Sequence, residues 1–419
     1  METVRKKLIE KLVQRGLLFS EGLIGENWAT AVSGKKFLVC DPATETELKH
    51  VTEMGAGDAE RAVFAASQSF PAWKSSTIQE RARILKKWSN EIAQCSSDLA
   101  GLICMESGKP QAEAKGEVNY ARSFIDFYAG MQPSGLVLQP QTSRQTLLAA
   151  KEPVGVCSLL TPWNFPAAMF CRKAAPALLA GCTVVMKPAE DTPLTTLALA
   201  KLWRDAGGPP GVLNVVPTSR KAVQEVGAVL TTHKDVRKVS FTGSTAVGKM
   251  LMQQAAETVK RTSMELGGNA PFVVLDDADL DAAVDGAMAA KFRFGGQVCI
   301  APNRFMVQEG IHDEFVERMA RRVRALHVGD GLDSRTNLGP LINRSAKNKV
   351  AGLVKDALGK GAEAVVGGEL DHEMGPNYFP PSVLVGCTPD MRVSQEEIFG
   401  PVVGVVKFAH DDEALCFVE

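Results

Sequence analysis

The segment VGVCSLLTPWNFP, residues 154–166, decides the fold, because an apolar run leads directly into a turn that contains Pro162 and Pro166. A continuous apolar run without polar alternation is typical of a strand that is buried on both faces of a sheet. The two prolines fix the turn and remove two backbone hydrogen-bond donors. A helical pattern follows, so the segment predicts a strand, a turn and a helix in succession.

The same alternation continues downstream of this unit. Helices alternate with further strands, which apolar runs predict at 183–186, 212–216, 236–241 and 262–266. Such alternation implies right-handed crossovers and a doubly wound parallel sheet, hence an α/β fold. Ligands of these sheets bind beyond the carboxyl ends of the strands. A second α/β unit is predicted from residue 271 onward, whereas the first third of the chain has a mostly helical pattern.

The composition excludes several classes of protein. The 419 residues carry a net charge of −1, so there is no basic surface for nucleic acid. No apolar run approaches the ~20 residues that span a bilayer, so no membrane partner is expected. The nine cysteines are odd in number and form no CxxC pair, which argues against a disulfide framework or a metal site and for a reducing compartment. A large enzyme of two or three domains, at ~150 residues each, remains.

The N-terminal residues 1–15 have a helical pattern with several basic residues. Two interpretations stay open, a mitochondrial transit peptide or a surface helix that docks on the body of the protein. Glu2 and Glu10 favour the surface helix, because transit peptides are poor in acidic residues. The predicted location is therefore the mitochondrial matrix or the cytoplasm, and the protein is not expected to be secreted.

Polar residues follow the first two of these predicted strands. Asn164 lies in the turn after the first strand, where its side-chain amide can donate to a ligand oxygen or, alternatively, satisfy the backbone of its own turn. Lys187 and Glu190 lie three residues apart at the end of the next strand. They either hold the hydroxyls of a ribose or form an exposed ion pair worth less than about 1 kcal/mol.

Two further strand ends carry candidate groups. Gly243 and Ser244 open a helix in FTGSTAVG, where free backbone N–H groups can bind a phosphate and a glycine lets a ligand approach. This segment matches neither GxGxxG nor the P-loop pattern. Glu265, followed by two glycines in MELGG, is either a general base or an ordinary loop carboxylate.

Cys299 is the most specific local signal. It ends the segment FRFGGQVC, whose glycines open the backbone so that a substrate can reach the thiol. The other eight cysteines are expected to be inert apolar residues. Farther along, Glu397 and Phe399 place a carboxylate and an aromatic ring on one tight turn in EEIFGP.

The segments PWNFP, KPAE, FTGS, ELGG, GGQVC and EEIFGP, in this order on an α/β pattern, resemble the aldehyde dehydrogenase superfamily. Glu265 and Cys299 are 34 residues apart (299 − 265), as the pattern of that family requires. The resemblance runs from about residue 17 to residue 419 and is strongest to the succinate-semialdehyde dehydrogenases. It implies oxidation of succinic semialdehyde to succinate, a step of 4-aminobutyrate degradation.

Carried over residue by residue, the resemblance implies that Cys299 is the nucleophile that attacks the aldehyde. The oxyanion would lie between the side-chain amide of Asn164 and the backbone N–H of Cys299, and Glu265 would activate the water that hydrolyses the thioester. Arg172 and Arg293 bracket the position of the aldehyde and would grip a distal carboxylate of the substrate. Taken alone, either arginine is better explained by an ion pair with a structural carboxylate.

The resemblance also implies a nicotinamide cofactor. The implied contacts are Lys187 and Glu190 with the adenosine ribose, Ser244 with the pyrophosphate beside Gly243, and Glu397 with the nicotinamide ribose beside Phe399. NAD is favoured over NADP because the Glu190 carboxylate would repel a 2′-phosphate.

The implied domain organisation has three parts. Residues 1–131 and 151–266 form the NAD-binding domain, 132–150 an oligomerisation arm, and 267–419 the catalytic domain. Members of the family continue past residue 419, so this chain is expected to be poorly active and to fall short of the homo-oligomer that the family forms. Phe294 and Val298 stand where the family commonly has Asn and Thr, and both changes are expected to alter the wall of the pocket.

Two alternatives stay open. The chain is an aldehyde dehydrogenase for an uncharged or differently charged aldehyde, or it is a truncated and catalytically silent product that binds nucleotide. A purely structural protein is disfavoured, because a nucleophile, a base and an oxyanion donor occur together.

Overall fold

The computed structural model describes residues 1–131, 136–138, 147–370 and 373–418. The strands in these ranges are β1 (Gly22–Ile24), β2 (Asn27–Ala29), β3 (Lys36–Cys40), β4 (Glu47–Thr52), β5 (Leu136–Leu138), β6 (Leu147–Ala149), β7 (Val156–Leu160), β8 (Thr183–Lys187), β9 (Leu213–Val215), β10 (Val236–Gly243), β11 (Arg261–Leu266), β12 (Pro271–Val274), β13 (Arg304–Gln308), β14 (Glu363–Val366), β15 (Ser382–Val385) and β16 (Val402–Phe408).

The helices in the same ranges are α1 (Glu2–Gln14), α2 (Ala56–Ser75), α3 (Ile78–Gln94), α4 (Ser96–Ser107), α5 (Gln111–Gly130), α6 (Pro166–Leu179), α7 (Pro193–Asp205), α8 (Val223–Thr232), α9 (Thr245–Ala256), α10 (Leu280–Phe292), α11 (His312–Arg324), α12 (Arg344–Gly359), α13 (Arg392–Gln395) and α14 (Asp411–Val418). A 3-10 turn covers Arg293–Gly296.

The first sheet has the strand order β11-β10-β7-β8-β9-β1-β2. The five strands from β11 to β9 pair in parallel, which confirms the predicted α/β class. The hairpin β1–β2 adds two antiparallel strands at one edge. The sequence pattern does not predict this hairpin, because strands of three residues are too short to show a periodicity.

Helices cover both faces of the first sheet, as in a doubly wound fold. One face packs mainly against α3 to α7, and the other packs against α2, α8 and α9. Every residue of β7 and β8 is consequently buried. Pro166 and Pro193 begin α6 and α7, where a proline costs no helical hydrogen bond.

The second sheet is the predicted second α/β unit. Its strand order is β12-β13-β16-β15-β14, with only the edge pair β14–β15 antiparallel. Helices α10 and α11 pack on one face and α12 on the other. The two sheets therefore each have their own apolar core.

The first third of the chain is less purely helical than its pattern predicts. Strands β3 and β4 form an antiparallel pair there. Helix α4 has no visible period because every residue from Asp98 to Ser107 is buried. A helix that is covered on all sides lacks the apolar stripe that marks a surface helix.

The arm predicted at 132–150 lies mostly outside the described residues, at 132–135 and 139–146. Its described strands β5 and β6 pair with each other in antiparallel register. The division of the chain into NAD-binding, oligomerisation and catalytic parts stays a prediction.

The N-terminal helix α1 docks on the body of the protein. Leu12 is fully buried, and the guanidinium of Arg5 lies 2.6 Å from both Asp41 and Asp330. None of the helices in the described ranges combines the length and hydrophobicity that crossing a bilayer requires.

Candidate active site

A cleft of about 480 Å³ lies between the carboxyl ends of the first sheet and loops of the second unit. Its lining includes nine of the predicted site residues: Asn164, Arg172, Gly243, Ser244, Glu265, Arg293, Cys299, Glu397 and Phe399. A neighbouring cleft of about 470 Å³ contains Glu190 and shares Arg220 and Asn343 with the first. Groups drawn from positions 164 to 399 therefore meet in one region.

Asn164 lies in the turn between β7 and α6 and is only 5% exposed. Its Nδ2 donates to the backbone carbonyl of Gln297 at 2.9 Å, which joins this turn to the segment that carries Cys299. Its Oδ1 is buried without a hydrogen-bond partner among the described residues. Because an amide nitrogen has two N–H groups, one of them remains for a ligand oxygen in the cleft.

Cys299 follows the 3-10 turn, and its side chain is exposed to the cleft. The turn depends on left-handed backbone at Phe294 and Gly295, whose φ angles are +48° and +61°. Partial desolvation of the sulfur and the negative charge of Glu397 raise the pKa of Cys299. The thiol therefore needs a base to become the reactive thiolate.

Glu265 lies near the end of β11, where the parallel register with β10 places it beside Thr242. Its carboxylate is 56% exposed, and Oε2 lies 3.7 Å from Nη2 of Arg172 on α6. The Arg172 side chain is 41% exposed and also lies over the ring of Phe124. The alternative to substrate binding, an ion pair with a carboxylate of the protein, is thus present for Arg172, although this pair is long and exposed.

Arg293 begins the 3-10 turn and is exposed. Its guanidinium lies over the ring of Phe165, 4.8 Å from the ring centre. Within the part of the chain that the structure describes, Arg293 forms no ion pair. No ion pair within these residues therefore holds this arginine, although the charge of the Glu113 carboxylate acts on it, and its exposed guanidinium is available to a ligand.

Lys187 and Glu190 form the pair that the sequence suggests. The Lys187 side chain is 8% exposed, and its Nζ lies 3.7 Å from Oε2 of Glu190. Burial lowers the pKa of Lys187, and the Glu190 carboxylate opposes that shift. The two groups form a largely buried donor and acceptor at the end of β8.

Ser244 caps α9 by accepting a hydrogen bond from the Val247 N–H at 3.4 Å. Its own hydroxyl hydrogen remains free to donate to a ligand. Gly243 is required by its neighbour, because a β-carbon there would collide with the ring of Phe241. The contact with Phe241 therefore favours glycine at this position whether or not a ligand approaches the backbone.

Glu397 and Phe399 lie on the turn after α13 and face the cleft. Phe399 has a left-handed φ of +56°, and its ring packs edge to face on Trp163 at 5.5 Å. Burial raises the pKa of Glu397. Its Oε1 is buried and has no hydrogen-bond partner in the described ranges.

These residues fit a nicotinamide nucleotide. The unpaired Oε1 of Glu397 can accept from a ribose hydroxyl, and Lys187 with Glu190 offers a donor and an acceptor to a second ribose. The N-terminus of α9 presents free N–H groups to a phosphate. An unsatisfied buried acceptor costs about 1–3 kcal/mol, and a bound hydroxyl would remove that cost at Glu397.

The model of the "Aldehyde dehydrogenase family" matches residues 28–418, nearly the whole chain. The chain belongs to the aldehyde dehydrogenase family. It is therefore an NAD(P)-dependent aldehyde dehydrogenase, and the family resemblance of its motifs is confirmed.

Several relatives of this aldehyde dehydrogenase have names that specify a substrate. The succinate-semialdehyde dehydrogenase, NADP(+), of Escherichia coli (strain K12) is 47% identical over 407 residues, which are 97% of this chain and 84% of that protein. The 3-sulfolactaldehyde dehydrogenase of Pseudomonas putida is 46% identical over 97% of this chain and 83% of that protein. The crystal structure of succinate-semialdehyde dehydrogenase from Burkholderia pseudomallei matches with a TM-score of 0.94 and 48% identity, over 96% of this chain and 83% of that one.

Two positions distinguish this aldehyde dehydrogenase from the common family pattern. Val298 lines the cleft, as expected. Phe294 does not line the cleft itself, but it packs against two rings that do, so its effect on the wall stays a prediction. It is 1% exposed, and its ring packs behind the wall at 6.2 Å from the rings of both Trp163 and Phe165.

Gln297 is a site residue to which the sequence analysis assigns no role. It is fully buried, and its Nε2 donates to the carbonyls of Phe294 at 3.2 Å and Pro340 at 3.3 Å. Its Oε1 accepts from the Ile342 N–H at 2.9 Å. Gln297 therefore fixes the loop before Cys299, and its place inside GGQVC is the available signal.

Several buried charged residues near the cleft could not be identified as site residues from the sequence. Lys291 donates to Asn303 at 3.3 Å, and burial lowers its pKa to about 7. Lys109, just before α5, and Glu113 and Glu117 in its first turns contact both sides of the cleft. The only signal for the two glutamates is their spacing of four residues, which is equally typical of an exposed helix face.

Proposed function

We propose that this chain oxidises a short aldehyde with a distal anionic group, best succinic semialdehyde, and prefers NAD as the cofactor. The observation that carries the proposal is the lining of one cleft by Cys299, Asn164 and Glu265, with Arg172 and Arg293 on its wall. The names of two similar proteins support it, because succinate semialdehyde and 3-sulfolactaldehyde are both short aldehydes with an acid group at the far end.

The first chemical step is attack of the Cys299 sulfur on the aldehyde carbon. A carbon–sulfur bond forms as the carbonyl π bond breaks, and the electron pair moves to the oxygen. The free N–H of the Asn164 amide and the backbone N–H of Cys299 are the donors for this oxyanion, and each such donor is worth about 3 kcal/mol. Because the pKa of Cys299 is raised, a base must first remove the thiol proton, and Glu265 is the candidate.

A nicotinamide nucleotide, when bound, supplies the hydride acceptor that oxidation of the thiohemiacetal requires. Glu397 and the pair Lys187–Glu190 would hold its two riboses, and Ser244 would donate to its pyrophosphate. The Glu190 carboxylate accepts from a 2′-hydroxyl and repels a 2′-phosphate. Since the Escherichia coli relative is named for NADP(+), the preference for NAD depends on Glu190 alone.

Hydrolysis of the thioester completes the reaction. Glu265 is exposed enough to contact water, so it releases to solvent the proton that it took from Cys299. It then takes a proton from the attacking water as the water oxygen bonds to the acyl carbon and the carbonyl electron pair moves to the carbonyl oxygen. The carbon–sulfur bond then breaks and the sulfur regains its electron pair. The contact with Arg172 does not block this role, because an exposed pair of this kind is worth less than about 1 kcal/mol.

The two arginines account for the choice of an anionic substrate. The guanidinium of Arg293 has no carboxylate partner among the described residues, and Arg172 has only the weak contact with Glu265. The planar fork of arginine binds a carboxylate through two parallel hydrogen bonds. A substrate carboxylate between them would give both guanidinium groups a bidentate partner, beyond the weak contact of Arg172 with Glu265 and the charge of Glu113 that acts on Arg293.

A sulfonate-bearing aldehyde is the second candidate, because the Pseudomonas putida relative is named for one and a sulfonate also accepts hydrogen bonds from arginine. The test measures kcat/KM with succinic semialdehyde, 3-sulfolactaldehyde and butanal, each with NAD and NADP. We expect succinic semialdehyde with NAD to exceed butanal by about 30-fold or more. Equal values for the charged and uncharged aldehydes would overturn the assignment of the arginines, and a higher value for 3-sulfolactaldehyde would establish the second candidate.

Assembly and cellular location stay predictions. The family resemblance predicts a homo-oligomer for the family but not for this chain, and light scattering of the purified chain would measure its assembly. The predicted location in the mitochondrial matrix or the cytoplasm would be tested by cell fractionation.

A further inference from the structure

Lys109 is a charged residue whose whole side chain is shielded from solvent. Its side chain is 0% exposed, and its ammonium forms an ion pair with the buried carboxylate of Glu117. Its Nζ also donates to the backbone carbonyl of Asn164 at 2.8 Å. The rings of Phe165 and Phe294 cover it, with ring centres at 3.9 Å and 4.4 Å. The ammonium is therefore held on all sides, and one of its partners is the backbone of the proposed oxyanion donor.

Glu117 extends the same contact to the start of α6. Its Oε1 accepts from the N–H groups of Ala167 at 2.9 Å and Ala168 at 3.3 Å. These N–H groups belong to the first helical turn, which has no partners within the helix. The turn that carries Asn164 is thus bound from one side by Lys109 and from the other by Glu117.

Glu113, one helical turn before Glu117, contacts the opposite wall of the cleft. Its Oε2 accepts from the backbone N–H of Phe294 at 2.7 Å. Phe294 lies in the 3-10 turn that precedes Cys299. The beginning of α5 therefore binds the asparagine turn and the cysteine loop at the same time.

We propose that Lys109, paired with Glu117, is a positioning residue that holds the Asn164 amide at the oxyanion site. The inference depends on the proposed function, since it assigns to Lys109 a role that acts through Asn164. Oxyanion donors work only within narrow geometric limits, and a displacement of about 1 Å can cost about 100-fold in rate. A buried ion pair is also more rigid than a surface side chain, because both charges must keep their partners.

The test must separate positioning from mere support of the fold. Replacing Lys109 alone would leave the Glu117 charge buried without a partner, so the main variant is Lys109→Met/Glu117→Gln, in which Gln can still accept from Ala167. Lys109→Arg is the second variant, because it keeps the charge but cannot reproduce the compact ammonium contact. Lys115→Met, at an exposed position of the same helix, is the matched control.

Two measurements taken together distinguish a positioning role from partial unfolding, which also lowers the apparent kcat but changes the alkylation of Cys299. One is the split between kcat and KM for the aldehyde, and the other is the rate at which iodoacetamide alkylates Cys299, a reaction that forms no oxyanion. We expect the double variant to lose about 10-fold or more in kcat. Its KM and its alkylation rate should change by less than about threefold. The control should match the unmodified chain in all three.

A mutant cycle with Asn164→Ala decides the mechanism. We expect Asn164→Ala to lose about 100-fold in kcat and to make the added loss from the double variant small, because the positioned group is then absent. If the double variant does not fold, Lys109→Arg enters the same cycle and should show the same non-additivity.

The outcomes distinguish failure of the oxyanion role of Asn164 from failure of the positioning role of Lys109. Full activity of Asn164→Ala would overturn the oxyanion role in the proposed function. Loss in Asn164→Ala, together with unchanged kcat in the Lys109 variants or losses that multiply in the cycle, would overturn only the positioning role of Lys109.

Discussion

The predicted cofactor end and the aldehyde end of the site each contain an ion pair 3.7 Å long, but the pairs differ in their surroundings, since Arg172 and Glu265 line the main cleft whereas Glu190 lines the neighbouring one. At the cofactor end the side chains of Lys187 and Glu190 are 8% and 29% exposed. At the aldehyde end those of Arg172 and Glu265 are 41% and 56% exposed. The first pair is largely buried at the end of one strand, whereas the second joins different elements at an exposed position. The two pairs therefore have the same length, but the buried pair keeps its partners whereas the exposed pair can exchange them.

This difference matches what each end has to do. A cofactor site benefits from groups that are already in place, because less ordering is needed on binding. The reacting end needs Glu265 to reach water and Arg172 to reach a substrate, and both are released at a cost of less than about 1 kcal/mol. Variants that act on one end and spare the other test this comparison.

Cys299→Ala should have the largest effect and should fall on the aldehyde end alone. Without the thiol no covalent intermediate forms, so turnover should drop by about 1000-fold or more. The affinity for NAD, measured by calorimetry, should stay within about twofold because the predicted ribose contacts are untouched. Cys416→Ala is the control, since Cys416 is also exposed. Retained turnover in Cys299→Ala would show that another group is the nucleophile.

Arg293→Ala should have the next largest effect. Loss of one partner of a charge pair that the substrate desolvates costs ~2–5 kcal/mol, which is roughly 30-fold or more in kcat/KM for succinic semialdehyde. With butanal the loss should be less than about threefold. Arg321→Ala, on the exposed face of α11, controls for a general change of charge. Equal losses on both aldehydes would mean that Arg293 supports the loop around Cys299 and does not bind the carboxylate.

Glu190→Gln should act on the cofactor end only. Removal of the carboxylate ends its repulsion of a 2′-phosphate, so the ratio of kcat/KM for NADP to that for NAD should rise by about tenfold. The relative rates with succinic semialdehyde and butanal should not change. Glu257→Gln, at an exposed position after α9, is the matched control. An unchanged cofactor ratio would remove Glu190 from the ribose site.

Glu397→Gln should have the smallest effect, and the size of that effect depends on pH. The negative charge of Glu397 raises the pKa of Cys299, so its removal lowers that pKa and enlarges the thiolate fraction at any pH below it. Alkylation by iodoacetamide at pH 8 should accelerate about two- to fivefold, since a unit charge in a solvated cleft contributes about 1 kcal/mol or less. The difference should vanish at a pH above both pKa values. A slower reaction at pH 8 would contradict the assigned sign.

Much of the fold and of the cleft lining could be predicted because the signals are local. A buried strand followed by a turn is visible in a dozen residues, and the carboxyl ends of parallel strands share one edge. That rule is sufficient to bring Asn164, Gly243 and Glu265 into one region. Their catalytic roles stay predictions, since geometry alone does not show turnover.

The parts that could not be predicted depend on distant partners. Lys109 and Glu113 can be recognised as site residues only when the folded chain brings residues 164 and 294 beside them. Nothing in their own segment signals these contacts. The position of Phe294 behind the wall could not be predicted for a related reason, since its aromatic neighbours Trp163 and Phe165 come from the turn after β7. The hairpin β1–β2 could not be predicted because its strands are short, and helix α4 could not because it is covered on all sides.

The bond between Glu113 and the backbone of Phe294 also sets an order on the assembly of the protein. The two residues are 181 positions apart, whereas Lys109 and Glu117 are separated by only eight. At synthesis rates of about 5–20 residues per second, Glu113 leaves the ribosome roughly 10–40 s before its partner exists. The bond that joins α5 to the cysteine loop can therefore form only after this delay, whereas the ion pair between Lys109 and Glu117 can form at once. A nascent chain thus carries the lysine side of the site before the backbone around the reactive thiol has its partner.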